Sequence, residues 1–428
     1  MKPYMLFDTD RIIDDGDFAI YYARHIQSLF KVNKITGETK LLWRNSTEDF
    51  FRSFVRYKDK CVFFPSGAGN GGILDLKRND FKCLEIPQNL HLTSEHNWSA
   101  NYIRYMDLLF FYFQNPVVTQ YNLLTNEWKI YRDWRKDLPS NISPNQWMTW
   151  ESFLHNDKLY FPIGESKYML EIAPKTGNMH VIDLNLPTNI IEMHIGRYSN
   201  GELYLLCKNK NNKISILKSN SFLTEEFEEV MQVSALTDSM ESFISAVVGN
   251  KYLWLFPCVY DKAYKINLKN GISEIAYEIP VYNKLESECN YVCGLLTKNF
   301  YWTININTGE LVELNLLNDK VRKVKMSFSP QDYKKLIIKD SFMYESSISC
   351  FEEWLCAIGI DSKGAKPNDY IPDNFLFGND CGNYNSVVDN GEKSQSIKTE
   401  TKLDYHSAKH SDYMAECKKE QKWHTVFF

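Results

Sequence analysis

Three glutamates occur in a recurring context that could support acid–base chemistry or polar ligand binding. Glu151 and Glu241 are each followed by Ser-Phe, and Glu288 is followed by Cys-Asn-Tyr. Carboxylates that converge repel each other unless a shared proton, a cation or a basic ligand compensates, so such a group usually has shifted pKa values and a role. Converging glutamates would supply a general acid and a general base. The alternative is that they only form hydrogen bonds between repeats or line a wet channel.

Other polar residues occupy the corresponding positions elsewhere in the chain. Arg52 precedes Ser-Phe, Asn101 and Asn290 each precede Tyr, and His194 follows a methionine. If the protein is an enzyme, we expect His194 and Arg52 to assist the glutamates in a lyase or hydrolase reaction on a sugar-like or peptide substrate. If it is a binding protein, we expect the same positions to contact the ligand.

Tryptophan is concentrated in the connections that lead to these positions. The connections are short and polar, and three tryptophans exceed what their folding requires. Exposed aromatic rings beside carboxylates are typical of sites for sugars or cationic groups, although these rings could equally seal neighbouring repeats. The predicted ligand-binding residues are Trp98, Trp147, Trp150, His96, Asn101 and Asn290.

A four-stranded repeat positions all of these residues. Its middle is a hairpin, as in LHNDKLYFP at Leu154–Pro162 and VVGNKYLWLFP at Val247–Pro257, and its second half is a strand, a Gly/Asn turn and a strand. Four strands per repeat, at a period of about 47 residues, are typical of a β-propeller blade. The seven turn residues are Gly37, Asn79, Asn126, Gly177, Asn220, Gly271 and Asn318.

The repeats predict an all-β, seven-bladed β-propeller over residues 1–326, with six blades as the alternative. Blade one is complete if Tyr4–Phe7 is its inner strand and Phe18–Ala23 the next; the pattern does not indicate how the ring closes. Turns such as INTGELVEL at Ile306–Leu314 resemble those of the broad propeller superfamily. The Gly-Gly pair of kelch repeats occurs only at Gly71–Gly72, and the Trp-Asp of WD repeats is absent, so the resemblance implies architecture and no active site.

Propellers bind ligands where the inner strands begin and where the loops between second and third strands meet. The glutamates and their counterparts lie at the predicted inner-strand starts. The loops add a second set of rim residues, ranked below the first: Arg24, His25, Asn70, Asn115, Glu165, Lys167, Tyr260 and Asp261.

The chain after the repeats has helical signals. Ser329 is a predicted N-cap before Pro330, and an apolar stripe that includes Trp354 follows a capping box at Ser349. We predict short helices over 327–360 that dock on the propeller, and a polar, partly disordered tail over 361–428.

Composition limits the partners. The formal net charge is −5, from 49 basic and 54 acidic residues, which disfavours nucleic-acid binding. No apolar run is long enough for a membrane span, so we expect no membrane association. Cysteines such as Cys61, Cys83, Cys207 and Cys258 lie singly in apolar runs, which is typical of buried, reduced thiols and predicts a cytoplasmic protein.

We expect no cofactor and no metal. Gly67–Gly72 matches GxGxxG but leads into a strand rather than a helix, and the histidines of the tail lack a CxxC partner. The sequence therefore predicts a propeller that binds a polar small molecule, glycan or peptide in its central funnel, or that serves as a protein-interaction scaffold. The enzyme hypothesis remains the alternative.

Overall fold

The structure is a computed structural model of the chain. It describes residues 4–7, 9, 11–24, 26–45, 47, 49, 51–65, 69–87, 102–112, 118–140, 142, 152–163, 166–199, 201–211, 213–219, 227–233, 243–257, 262–278, 294–306, 308–329 and 332.

Seven sheets are arranged as the seven blades of a β-propeller, each with four antiparallel strands in chain order. Blade 1 contains β1 (Ile12–Asp15), β2 (Phe18–Ala23), β3 (Ser28–Asn33) and β4 (Glu38–Arg44). Blade 2 contains β5 (Phe51–Tyr57), β6 (Lys60–Pro65), β7 (Gly71–Asp75) and β8 (Asp80–Leu84). Blade 3 contains β9 (Tyr102–Tyr105), β10 (Leu108–Tyr112), β11 (Val118–Asn122) and β12 (Trp128–Tyr131), followed by a 3₁₀ turn at Asp133–Asp137.

The remaining blades repeat this order. Blade 4 contains β13 (Phe153–His155), β14 (Lys158–Pro162), β15 (Tyr168–Ala173) and β16 (Asn178–Asp183). Blade 5 contains β17 (Ile190–Ser199), β18 (Glu202–Asn209), β19 (Ile214–Ser219) and β20 (Glu228–Val233). Blade 6 contains β21 (Phe243–Val248), β22 (Tyr252–Pro257), β23 (Lys262–Asn267) and β24 (Ser273–Glu278). Blade 7 contains β25 (Leu295–Leu296), β26 (Phe300–Asn305), β27 (Glu310–Asn315) and β28 (Lys320–Lys325).

The first strand of each blade lies at the centre of the ring. Strand β17 contacts both β13 and β21, and β25 contacts β1, so inner strands of neighbouring blades meet. The hairpin turns between first and second strands lie on one face of the ring. The loops between second and third strands, together with the connections between blades, lie on the opposite face, which we call the entrance face.

The turn between third and fourth strands has a recurring local chemistry. In blade 1 the Asn33 side-chain oxygen accepts hydrogen bonds from the amides of Ile35 (2.8 Å) and Thr36 (3.0 Å), which forms an Asx turn. Gly37 closes the turn with positive φ, and its amide donates to the Asn33 carbonyl at 2.9 Å. Asn and Gly adopt such φ values most readily. The predicted turn residues with positive φ are Gly37, Asn79, Asn126, Gly177 and Gly271.

Blade 7 departs from this prediction by one residue. Asp319, not Asn318, has the positive φ of 56°. The Asp319 carboxylate accepts hydrogen bonds from the Lys251 amide (2.8 Å) and the Trp254 indole (3.0 Å) of blade 6. The turn itself is the same as in the other blades, because the Asp319 amide donates to the Asn315 carbonyl as the Gly37 amide donates to the Asn33 carbonyl, so the predicted turn residue was one position early.

Aromatic side chains pack in the seams between blades. Between blades 1 and 2, Tyr22 contacts Phe51, Phe54 and Phe63 with ring centroids 5.0 to 6.5 Å apart. All four are buried in one cluster. Burial of each such side chain stabilises the fold by about 1.5–3 kcal/mol, so the seams contribute much of the stability of the ring.

The chain closes the ring with a fifth strand on blade 1. Strand β29 (Ser327–Phe328) pairs in parallel with β4, with Ser327 opposite Glu38 and Phe328 opposite Thr39. The Ser327 amide also donates to the Gly37 carbonyl at 2.9 Å. Because β29 follows blade 7 directly, this pairing ties the last blade to the first.

The prediction that Tyr4–Phe7 is an inner strand is wrong. These residues form a single helical turn, α1 (Tyr4–Phe7), and Ile12–Asp15 is the inner strand. The hairpin turn at Gly16, with φ of 68°, pairs β1 with β2 in tight register. Phe7 is instead buried at the seam with blade 7, where its ring centroid lies 5.9 Å from that of Phe328.

After β29, the Ser329 hydroxyl accepts a hydrogen bond from the Asp332 amide at 3.1 Å, the contact expected of an N-cap. The rest of that predicted helix, the helix after Ser349 and the tail lie outside the described residues. In the ranges that are described, no helix has the length and apolar character needed to cross a membrane.

Cys61 and Cys207 are buried free thiols, as predicted, whereas the prediction is wrong for Cys83, which is exposed on the outermost strand of blade 2, where Leu84 alone is buried. Cys258 lies outside the described residues.

Candidate functional site

Most of the predicted site lies outside the described residues, so the structure does not report whether the glutamates converge. The residues outside it are Glu151, Glu241, Glu288, Trp98, Trp147, Trp150, His96, Asn101 and Asn290, with His25, Asn115, Glu165, Tyr260 and Asp261 of the rim. Arg52 is described fully, and His194 through its backbone alone. Among the remaining rim residues, Lys167 forms an exposed ion pair with Asp183 at 2.9 Å.

Arg52 and His194 occupy equivalent positions in their blades. Each lies at the same distance from the hairpin turn that ends its inner strand, and each falls at a break in the pairing register. In blade 2 the partners of Pro65 and Phe64 are Phe51 and Ser53, so Arg52 is the extra residue of a β-bulge. Bulges re-aim side chains and are common beside binding sites. The two residues are therefore structurally equivalent within their blades.

Two arginines are buried at the seam between blades 1 and 2 on the entrance face. Arg24, in the loop after β2, is 6% exposed, and Arg52 is 8% exposed. Both arginines interact with other groups of the protein. A buried guanidinium keeps its charge, and it must be compensated by hydrogen bonds or negative charge.

Gln27 holds these two arginines close together. Its side-chain nitrogen donates to the carbonyls of Arg24 and Phe51, the latter at 3.0 Å, so the backbones that carry Arg24 and Arg52 are neighbours. Its side-chain oxygen accepts from the Tyr22 hydroxyl (2.7 Å) and the Phe51 amide (2.8 Å). Gln27 is itself buried and has positive φ, which indicates that the surrounding contacts determine its conformation.

Arg11 extends from blade 1 past blade 2 to blade 3. Its guanidinium donates to the Tyr102 carbonyl at 3.0 Å and lies 3.9 Å from the centroid of the Tyr102 ring. The Tyr102 hydroxyl donates to the Phe54 carbonyl at 2.9 Å, which connects the same contact to blade 2. Among the residues that the structure describes, no carboxylate pairs with Arg11.

At the opposite end of the same inner strands, the charged side chains form ion pairs with one another. The Asp15 carboxylate contacts Lys31 at 2.8 Å and also pairs with Arg56 of blade 2. Partial burial alone would raise the pKa of Asp15, but hydrogen bonds and charge from Lys31 and Arg56 outweigh it and lower the pKa. These pairs are structural, because each charge has its partner within the protein.

The described part of the entrance face carries three arginines, alongside the carboxylates of Asp49 and Asp183. Of these, Arg11 is the least buried, and its planar guanidinium is a multidentate donor that suits carboxylate, phosphate or sulfate oxygens. No group of His, Cys, Asp and Glu able to hold a metal ion occurs within the described ranges.

No family model matches the sequence, and no curated protein matches it. Similar solved structures include virginiamycin B lyase from Staphylococcus aureus, with a TM-score of 0.49 and 13% identity over 73% of this chain and 93% of that one. BamB from Moraxella catarrhalis has a TM-score of 0.44 and 12% identity over 69% and 81% of the two chains. The computationally designed Ika8 protein has a TM-score of 0.45 and 7% identity over 73% and 86%. Likenesses of this degree concern architecture alone.

Proposed function

We propose that this propeller is a binding protein whose entrance face takes a polar ligand with a negatively charged group. The ligand is a small molecule, a glycan or a peptide, and its anionic oxygens contact Arg11. The observation that carries the proposal is Arg11, whose guanidinium lies on the Tyr102 ring and carbonyl without a carboxylate partner in the described part of the chain.

The position of Arg11 favours a ligand over a purely structural role. Arg11 is half-buried, so water competes less effectively for its donors than at an exposed side chain. The backbone carbonyl and the ring occupy part of the guanidinium, which leaves donors for a second acceptor. Hydrogen bonds between ionised partners contribute about 1.5–3 kcal/mol each, enough to select charged over neutral ligands.

One further proposal concerns the cellular compartment of the protein. The free thiols of Cys61, Cys83 and Cys207 support a reducing compartment such as the cytoplasm. A lyase or hydrolase reaction that uses Glu151, Glu241 or Glu288 stays a prediction from the sequence.

A thermal-shift panel tests the proposed function. The probes are glucose, glucuronate, glucose 6-phosphate, and one neutral and one acidic peptide, each with the wild type, Arg11→Gln and Arg78→Gln. Arg78 is exposed in the outer turn of blade 2 on the opposite face, so its variant is the matched control. We expect an anionic probe to stabilise the wild type and Arg78→Gln but not Arg11→Gln. Equal stabilisation of all three proteins, or no stabilisation of the wild type by any anionic probe, would contradict the proposal.

A further inference from the structure

The most exposed aliphatic side chains that the structure describes lie in hairpin turns. Five of them are 62–70% exposed, whereas no other large aliphatic side chain in the described ranges exceeds 47%. Two of the five, Met106 and Leu124, belong to neighbouring turns of blade 3. The Leu123 amide donates to the Asp107 carbonyl at 2.8 Å and so continues the register of β10 and β11. Met106 and Leu124 are therefore opposite each other, and blade 3 presents an apolar pair to solvent.

The backbone of Met106 is strained. Its φ of 52° lies in the left-handed region, where Gly16 of blade 1 and Asn156 of blade 4 occupy the equivalent turn position. Gly and Asn adopt this conformation with the least strain, so an exposed Met has no local advantage there. Strained residues are frequent at binding sites. Contact with another molecule explains why this turn carries a large apolar side chain.

Two cations lie beside the Tyr57 ring, next to this apolar pair. The Arg104 guanidinium donates to the Met106 carbonyl at 2.8 Å and to the Arg56 carbonyl at 3.3 Å. Its central carbon lies 5.5 Å from the centroid of the Tyr57 ring, and the Lys58 amine lies 5.0 Å from the same centroid. Both cations are exposed, and neither pairs with a carboxylate in the described ranges.

The nearby carboxylates leave these two cations in excess. Asp59 pairs with Lys77 at 2.8 Å, and Asp15 pairs with Arg56. Asp107 is the one neighbouring carboxylate without an ion pair in the part of the chain that the structure describes. One negative charge therefore faces two positive charges. This surface, which we call the tip patch, consists of Tyr57, Lys58, Arg104, Met106 and Leu124.

We infer that the tip patch binds a peptide segment of another protein in which an Asp or Glu neighbours a large apolar residue. The apolar side chain of the peptide packs on Met106 and Leu124, and its carboxylate binds Arg104 and Lys58. The patch lies at the hairpin turns, on the face opposite the entrance face. It is therefore separate from the ligand site proposed above.

An acidic peptide fits the tip patch better than an anionic bilayer does. The charge of a bilayer is spread over its surface, so it repels Asp59 and Asp107 while it attracts the cations. A peptide can place a single carboxylate beside Lys58 and Arg104 and an uncharged group beside Asp107. The unbranched side chain of Met106 adapts to apolar partners of different shapes, which suits peptide recognition.

A peptide array tests this inference. The array holds short peptides in which Asp or Glu neighbours Leu, Ile, Phe or Trp, the same peptides with Asn or Gln in place of the acid, and the same peptides with Lys. It is probed with the labelled wild type, Met106→Asn/Leu124→Ser and Lys58→Gln/Arg104→Gln. We expect the wild type to be retained by the acidic peptides, and both variants to be retained much less.

Matched controls carry the same kinds of change on fourth strands. Leu42→Ser/Ile275→Ser removes two exposed aliphatic side chains, and Lys40→Gln/Lys82→Gln removes two exposed lysine charges. Fluorescence anisotropy with the tightest peptide should show a loss of about tenfold or more for the apolar variant of the patch. It should show a loss of about fivefold for each cation removed. The controls should bind as the wild type does.

Stability separates loss of binding from loss of folding. Met106→Asn removes the apolar side chain and relieves the strained φ, so it should unfold at the wild-type urea concentration or above it and still bind the peptide more weakly. Arg11→Gln should keep peptide binding, and Lys58→Gln/Arg104→Gln should keep the response to anionic probes in the thermal-shift panel. The two proposals can therefore fail separately.

Three results would overturn the inference. They are no retention of the wild type by any acidic peptide, equal retention by the Asn or Gln peptides, and losses in the fourth-strand controls equal to those in the patch variants. Vesicles that contain phosphatidylserine and sedimentation of the protein alone test the other occupants. Vesicle binding or a dimer that the patch variants abolish, without peptide binding, would assign the patch to a bilayer or to a second copy instead.

Discussion

Tyr102 joins the proposed binding residue to the scaffold through two separable contacts. Its ring lies beneath the Arg11 guanidinium, and its hydroxyl donates to the Phe54 carbonyl. We expect Tyr102→Phe to lower the free energy of unfolding by about 1 kcal/mol, the usual contribution of one hydrogen bond, and to leave ligand affinity unchanged. Tyr102→Leu should lower both, because the surface that orients Arg11 is lost. Urea unfolding and calorimetry measure the two effects, and equal affinity losses in both variants would contradict this division.

Asp15 should make stability depend on pH. Its pKa is lower in the folded protein than in the unfolded chain, so its ionised form stabilises the fold above the unfolded value of about 3.9. That contribution is lost as pH falls through the folded value. Asp15→Asn should therefore destabilise the protein by about 1–2 kcal/mol at pH 7, and the difference from wild type should shrink from pH 5 to pH 3.

Melting temperatures across that pH range check the Asp15 prediction. Asp80→Asn is the control, because Asp80 and its partner Lys82 are both exposed and 3.8 Å apart, and such pairs contribute little. A difference for Asp15→Asn that is constant with pH would show that ionisation is not the cause.

Sequence reasoning aligned two residues of the repeat and missed Arg11 for a physical reason. Arg52 and His194 could be aligned because their position in the repeat is local information. Arg11 could not, because its contact with Tyr102 joins residues 91 positions apart. Its place in the repeat also depended on which segment forms the inner strand of blade 1. The apolar segment Tyr4–Phe7 has the sequence pattern of such a strand, so it was chosen instead of Ile12–Asp15.

At the scale of elements, Gln27 joins the loop after β2 to the start of β5. Four hydrogen bonds converge on its side chain, two accepted and two donated. We expect Gln27→Ala to destabilise the protein by about 3 kcal/mol, since several buried groups lose partners together. Ligand affinity should also fall, because the seam that carries Arg24 and Arg52 loosens.

Gln120→Ala provides the matched comparison for this prediction. The Gln120 side chain accepts one hydrogen bond, from the Tyr131 hydroxyl at 2.6 Å, away from the seam between blades 1 and 2. Its loss should cost about 1 kcal/mol without changing affinity. Urea unfolding of both variants decides the matter, and a Gln27→Ala effect no larger than that of Gln120→Ala would contradict the role assigned to Gln27.

Turns were the most predictable elements of this fold. The Asn and Gly residues that mark the third-to-fourth-strand turns adopt positive φ because few other residues do so without strain. In blade 7 the equivalent fifth position of the turn is Asp319, which follows the predicted Asn318 and in addition accepts hydrogen bonds from Lys251 and Trp254 of the preceding blade.

For the whole molecule, closure of the ring depends on close approach at Gly37. A β-carbon there would lie 1.9 Å from the Lys325 carbonyl oxygen, and φ is 76°. Gly16 has a similar φ of 68° but open space around it. Gly16→Ala should therefore cost about 1–2 kcal/mol from backbone strain alone. Gly37→Ala should cost several kcal/mol more, because backbone atoms of blades 1 and 7 must separate.

Urea unfolding and limited proteolysis of these two variants measure ring closure. We expect faster cleavage near β29 in Gly37→Ala only, since the pairing of Ser327 with Gly37 and Glu38 is weakened there. Equal behaviour of the two variants would show that β29 does not close the ring. The sequence could not reveal this closure, because two residues in parallel pairing have no periodicity.

The most direct test of the binding proposal is a crystal structure of the wild-type protein with the tightest anionic probe of the thermal-shift panel. The result that we predict is ligand density on the entrance face between blades 1 and 3, with an anionic oxygen within hydrogen-bond distance of the Arg11 guanidinium. Density on the opposite face, or in the channel without contact to Arg11, would contradict the proposal.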